Sequence, residues 1–201
     1  YKKLKPIWDV DDAIALCDIL LANPYLEAKS FASALLHKFK RDFPKKLFFK
    51  IEEWLCSDYC NNWAAVDVLC QDAMYSLLLK YPELEEKIIE WPFSVNRWVR
   101  RAAAVSFIKI AREGKMLDTV YKISVSLFED DDDLVQKANG WLLREAGKSD
   151  LRRLENFLLK QGSVIPRTTL RYAIERFDER KRKMILIKTR PEKERSRHKK
   201  N

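Results

Sequence analysis

Apolar residues recur at three- and four-residue spacing along most of the chain, and long windows of this pattern alternate with shorter ones. Four long windows open after polar or turn residues: "NPYLEAKSFASALLHKF" near 23, "NNWAAVDVLCQDAMYSLLLKY" near 61, "SVNRWVRRAAAVSFIKIAREG" near 94 and "DDDLVQKANGWLLREAGK" near 131. Their starts lie about 35 residues apart, the period of paired-helix solenoids. Between them run "PKKLFFKIEEWLC", "PELEEKIIEW" and "MLDTVYKISVSLF", and "DLRRLENFLLKQG" with "PRTTLRYAIERF" supplies a further pair. Asn23-Pro24 reads as an N-cap with proline at the first helical position, and Pro44 and Pro82 read as opening other helices. The pattern predicts an all-α fold, a HEAT-like helical-repeat solenoid (an α-α superhelix). Neighbouring units would bury one another's apolar faces, and equivalent helices would line one concave surface.

Composition agrees with helices joined by short turns. Only 4 glycines occur in 201 residues, with 47 % hydrophobic and 34 % charged positions. A chain of this length can bury a substantial core as one domain. Residues 1–178 are expected to form a single repeat domain, and residues 179–201 a basic tail that is flexible in part. No apolar stretch reaches the roughly 18 residues of a membrane span and no signal peptide is visible, so the expectation is a cytoplasmic monomer. The chain begins at Tyr1 rather than a methionine, which points to residues missing upstream. Cys17, Cys56, Cys60 and Cys70 lack companions at zinc spacing, and His37 and His198 are isolated. The cysteines read as small apolar fillers in a reducing compartment, and no metal or other cofactor is expected.

The formal charge of +9 is unevenly spread. Residues 178–201 hold eleven Lys or Arg against four Asp or Glu, a net +7, which leaves +2 for the rest of the chain. Bulk charge therefore does not establish a nucleic-acid partner.

Local chemistry is more informative. Trp63 and Asp67 lie four residues apart, so on a helix they share one face, about 40° apart in projection. A helix start with Asn61 or Asn62 capping and a solvated Asp67 would also produce that pair. Trp98, Arg100 and Arg101 open the third long window, and Trp141 and Arg144 lie in the fourth. Were the long helices equivalent, these side chains would gather on one face, a poor core but a workable binding surface. Packing of Trp98 or Trp141 between repeats is the plainer alternative. The acidic run Glu129 to Asp133 reads as a helix cap rather than a metal site.

Four blocks in order carry a resemblance to the AlkD-type DNA alkylation repair family, HEAT-like repeat DNA glycosylases: "NNWAAVD", "NRWVRRAA", "VQKANGWLLREAGK" and "VIPRTTLRYAIERF". The similarity runs from roughly residue 10 to residue 178. It implies that Trp63 and Trp141 are the aromatic pair of the site, Asp67 the catalytic residue and Arg101 its cationic companion. Ala64 stands where relatives commonly have an acidic residue, and the family's N-terminal helices are absent or divergent. Trp98, Arg100, Lys137, Arg144, Arg167, Thr168, Thr169 and Arg171, with Arg152 and Arg153, become candidate DNA contacts. The implied substrate is duplex DNA carrying cationic purines alkylated at N3 or N7, acted on in bacterial nucleoid DNA without base flipping.

Those residue types suit that chemistry. A purine cation departs as a neutral base, so little leaving-group protonation is needed. The developing oxocarbenium ion wants a carboxylate beside it and a water placed under C1′. Indole faces attract positive charge through the ring quadrupole. An arginine holds phosphate and favours an ionised carboxylate nearby. Two other functions fit the same fold: a non-catalytic binder of DNA structure, and a protein-interaction scaffold that needs no DNA.

Overall fold

The computed structural model describes residues 7–191, and those residues form helices and turns with no strand. The chain divides into two compact units, the first ending at Phe107 and the second starting at Ile108.

In the first unit, α1 (Val10–Ala22) is closed at its start by a capping box. Asp9 accepts from the amides of Asp11 and Asp12, and the Asp12 side chain accepts from the Asp9 amide. This helix was missed by the repeat reading, although Asp9 and Asp12 ahead of an apolar run are its signal. After α1, α2 (Leu26–Lys38) starts two residues later than the Asn23-Pro24 pattern predicts. Asn23 instead ends α1 and accepts from the amide of Tyr25 at 3.0 Å. Pro44 likewise lies in a turn ahead of α3 (Leu47–Cys56), whereas Pro82 does open a 3-10 turn, Pro82–Leu84, leading into α6 (Glu85–Ile88).

The window from Asn61 is one helical run with a wider turn inside it. Helix α4 (Trp63–Leu69) passes through a π-helical turn, Cys70–Met74, into α5 (Tyr75–Lys80). The third window is also divided: α7 (Arg97–Val105) ends before a turn at Ser106 and Phe107. The core of this unit is dense with large side chains, among them Phe43, Phe48, Ile51, Trp54, Leu69, Met74 and Leu77. Trp54 and Trp91 each donate their indole N–H at 2.7 Å, to Asp18 and Glu52, so their rings are buried without an unpaired donor.

In the second unit, α8 (Ile108–Arg112), α9 (Leu117–Ser126), α11 (Leu151–Gln161) and α12 (Arg167–Ala173) pack on the long α10 (Asp133–Ser149). Asp132 caps α10, accepting from the amides of Leu134 and Val135, as the acidic run predicted. Gly140 is where α10 and α12 meet: a Cβ there would lie 2.4 Å from Tyr172 Cβ and 2.6 Å from the Thr169 carbonyl oxygen. Flanking Gly140, Asn139 donates to the Ser124 carbonyl at 2.9 Å, and Gln136 Oε1 lies 2.6 Å from Thr169 Oγ1. The segment expected to begin a tail continues as α13 (Glu179–Lys188), with Ile185 buried; residues 192–201 lie outside the described part. No helix among the described residues is long and apolar enough to cross a membrane. Cys17, Cys60 and Cys70 are buried free thiols, and Cys56 is an exposed one.

Candidate active site

Asn62 sets the start of α4. Its extended backbone and its side chain, which accepts from the Ala65 amide at 2.9 Å, place Trp63 at the first helical position. The Trp63 indole is 56 % exposed, an unusual position for so large a ring. One turn further on, Asp67 is 7 % exposed. The two share a helical face but not a depth.

Asp67 meets Arg101 of α7. The guanidinium donates through Nε to Oδ1 at 2.9 Å and through Nη2 to Oδ2 at 2.8 Å, a bidentate pair in which Arg101 is 6 % exposed. The close approach follows from sequence: Ala102, Ala103 and Ala104 after the arginine are buried and small, which lets α7 pack near its neighbours. Asn96 caps α7 by accepting from the Trp98 amide at 2.8 Å. It also donates to the Leu55 and Cys56 carbonyls at 3.1 and 3.2 Å, fixing α7 to the end of α3. Burial pushes the Asp67 carboxyl above its ordinary range, and Arg101 pulls against that shift without cancelling it.

Lys29 was missed. Its side chain is buried, and the ammonium donates to the Leu21 and Tyr59 carbonyls at 2.5 Å each. Tyr59 lies in the turn just before Asn61 and Asn62, so Lys29 secures the approach to α4. Burial lowers its pKa below the usual lysine value. A lysine in an amphipathic pattern reads as solvated, and nothing local signals otherwise.

The expected DNA contacts divide sharply. Trp98 is half-buried with the Arg97 guanidinium 4.9 Å from its ring centroid. Arg100 donates to the Ser94 and Val95 carbonyls, both at 3.1 Å, bracing the loop before its own helix. In the second unit Trp141 is half-buried on α10, and Lys137 pairs with Asp133 at 2.6 Å. Arg144 pairs with Glu175, and Arg153 with Asp118. Arg167 donates to Thr189 Oγ1 at 3.1 Å and the Leu186 carbonyl at 3.3 Å, holding the end of α13. Thr168 is half-buried, while Arg152 and Arg171 are exposed. Thr169 needs correction: it is fully buried, and its hydroxyl lies 3.0 Å from the Gln136 carbonyl oxygen and 2.6 Å from Gln136 Oε1. It ties α12 to α10.

An all-helical chain with this arrangement has a counterpart among solved structures. One described as a predicted DNA alkylation repair enzyme from Enterococcus faecalis aligns with a TM-score of 0.76 at 17 % identity, covering 89 % of this chain and 82 % of that one. The fold is thus the helical-repeat fold of DNA alkylation repair proteins. The chain belongs to the DNA alkylation repair enzyme family, which it matches over residues 1–177. No curated protein matches it.

Proposed function

We propose that this protein is a DNA glycosylase that hydrolyses the N-glycosidic bond of positively charged alkylated purines, of the N3-methyladenine and N7-methylguanine type, in duplex DNA. The observation that carries the reading is the exposed Trp63 indole one helical turn from the buried Asp67–Arg101 pair. In the proposed reaction the bond between C1′ and the purine nitrogen breaks with its electron pair going to the base, which leaves neutral. Water then bonds to C1′ and yields its proton to Asp67 or to solvent. Arg101 occupies one site on each Asp67 oxygen, and a carboxylate has about four such sites, so acceptor capacity remains for a water. The raised Asp67 pKa makes it a stronger base than an exposed carboxylate. Trp63 contacts the sugar, and Trp141 is proposed as the second such indole. Recognition rests on charge and sugar, so the base need not leave the stack.

A second reading has its own observation. Asp67 is nearly enclosed and both its oxygens are bound, which suits a purely structural salt bridge in a DNA-binding protein without catalysis. Incubating the purified protein with methylated duplex DNA and measuring free base separates the two. Release above the spontaneous rate supports the glycosylase. Binding with no release supports the binder.

A further inference from the structure

Helix α13 lies beyond the residues matched to the family, yet it is firmly docked. Lys181 donates to Glu155 of α11 at 2.7 Å, and Arg167 of α12 holds its C-terminal end. Between α12 and α13 this docking leaves an open groove of about 390 Å³, lined by Arg171, Ile174, Glu179, Arg182, Lys183 and Leu186.

Two of the three cations in this groove carry no carboxylate partner among the described residues. Arg112, Lys137, Arg144 and Arg153 of the same unit each have a carboxylate partner. Arg171 and Arg182 are both exposed and face the groove from opposite helices, and neither has a side-chain partner among the described residues. Glu179 is occupied by Lys183 at 2.6 Å. The lining thus presents three cations against one carboxylate, with half-buried Leu186 as the apolar floor over buried Ile174.

We propose that this groove binds the phosphodiester backbone of duplex DNA, with Arg171 and Arg182 on phosphate oxygens and the apolar floor against the sugar. Planar guanidiniums match phosphate oxygens two at a time, and backbone contacts position a duplex without reading its sequence. The inference rests on the DNA-binding part of the function proposed above and is independent of catalysis. It gives this chain a backbone contact that its family-matched region alone does not supply.

The test is binding of an unmodified duplex by fluorescence anisotropy across a salt series, comparing the parent with Arg171→Gln/Arg182→Gln. Each lost phosphate contact should flatten the slope of log K against log salt by about 0.9, so the double variant should be shallower by about 1.8. Arg176→Gln/Arg180→Gln removes equal charge from exposed positions outside the groove and should change the slope much less. If both pairs behave alike, the effect is general charge and the groove is overturned. An unchanged slope in a parent that binds DNA overturns the groove alone, leaving the glycosylase reading intact. A parent that does not bind duplex DNA overturns both.

Discussion

The guanidinium of Arg101 holds both carboxylate oxygens of Asp67, at 2.9 and 2.8 Å, although the residues stand 34 positions apart. Both are more than nine-tenths buried. For such a pair, desolvation offsets much of the mutual attraction, while loss of one partner strands the other charge. The pair is therefore as much a packing element between α4 and α7 as a candidate catalytic group.

From the sequence, Asp67→Asn would pass as a nearly shape-preserving change. With Arg101 buried against it, the substitution is expected to lower unfolding free energy by about 3 kcal/mol, measurable by urea denaturation. Asp67→Leu with Arg101→Met should recover most of that loss, since no charge is then left unpaired. Where Asp67→Asn remains folded, single-turnover excision of N7-methylguanine should slow by about 10²–10³. Excision at the parent rate would remove Asp67 from the mechanism.

Trp63→Ala should behave in the opposite way. The indole is mostly exposed, so stability should change by no more than about 0.5 kcal/mol. Loss of one ring contact worth about 1–2 kcal/mol should reduce binding and excision together by roughly 5–30-fold. Parallel anisotropy and excision measurements check this. A variant that loses stability while excising normally would make Trp63 a packing residue.

Gly140→Ala tests the junction of α10 with α12. Alanine favours a helix by about 1 kcal/mol over glycine, but its Cβ would press on Tyr172 Cβ and the Thr169 backbone at 2.4 and 2.6 Å. Backbone cannot yield as a side chain does, so a net loss of about 1–3 kcal/mol is expected. A higher denaturation midpoint in the variant would show that the helices can separate at little cost.

Glu145 supplies a pH dependence. Burial raises its pKa, but hydrogen bonds from Lys148 and Arg112, at 2.7 and 2.6 Å, outweigh that and leave it below the ordinary value. A carboxyl with a lower pKa in the folded state stabilises above its unfolded pKa of about 4.3, and that contribution disappears as pH falls through the folded value. The parent should therefore lose more stability than Glu145→Gln between about pH 5 and pH 3. Parallel losses in the two proteins, followed by urea denaturation at each pH, would contradict this.

Local features were legible from the sequence alone. Apolar periodicity located most helices, and the cap readings at Asn61 or Asn62 and in the run Glu129 to Asp133 fall on Asn62 and Asp132. Each of these signals involves residues within a turn or two, where backbone geometry sets which groups can meet.

Only the tertiary structure decided what those side chains touch. Thr169, read as a phosphate contact, is buried against Gln136, and Arg167 holds the end of α13 instead of facing outward. Lys29 is buried where its pattern promised solvation, and the basic segment after Asp178 begins as a docked helix. The physical reason is common to all of them. Helix formation depends on neighbours in the chain, whereas burial and charge pairing depend on residues brought together from tens of positions away, whose proximity no local spacing encodes.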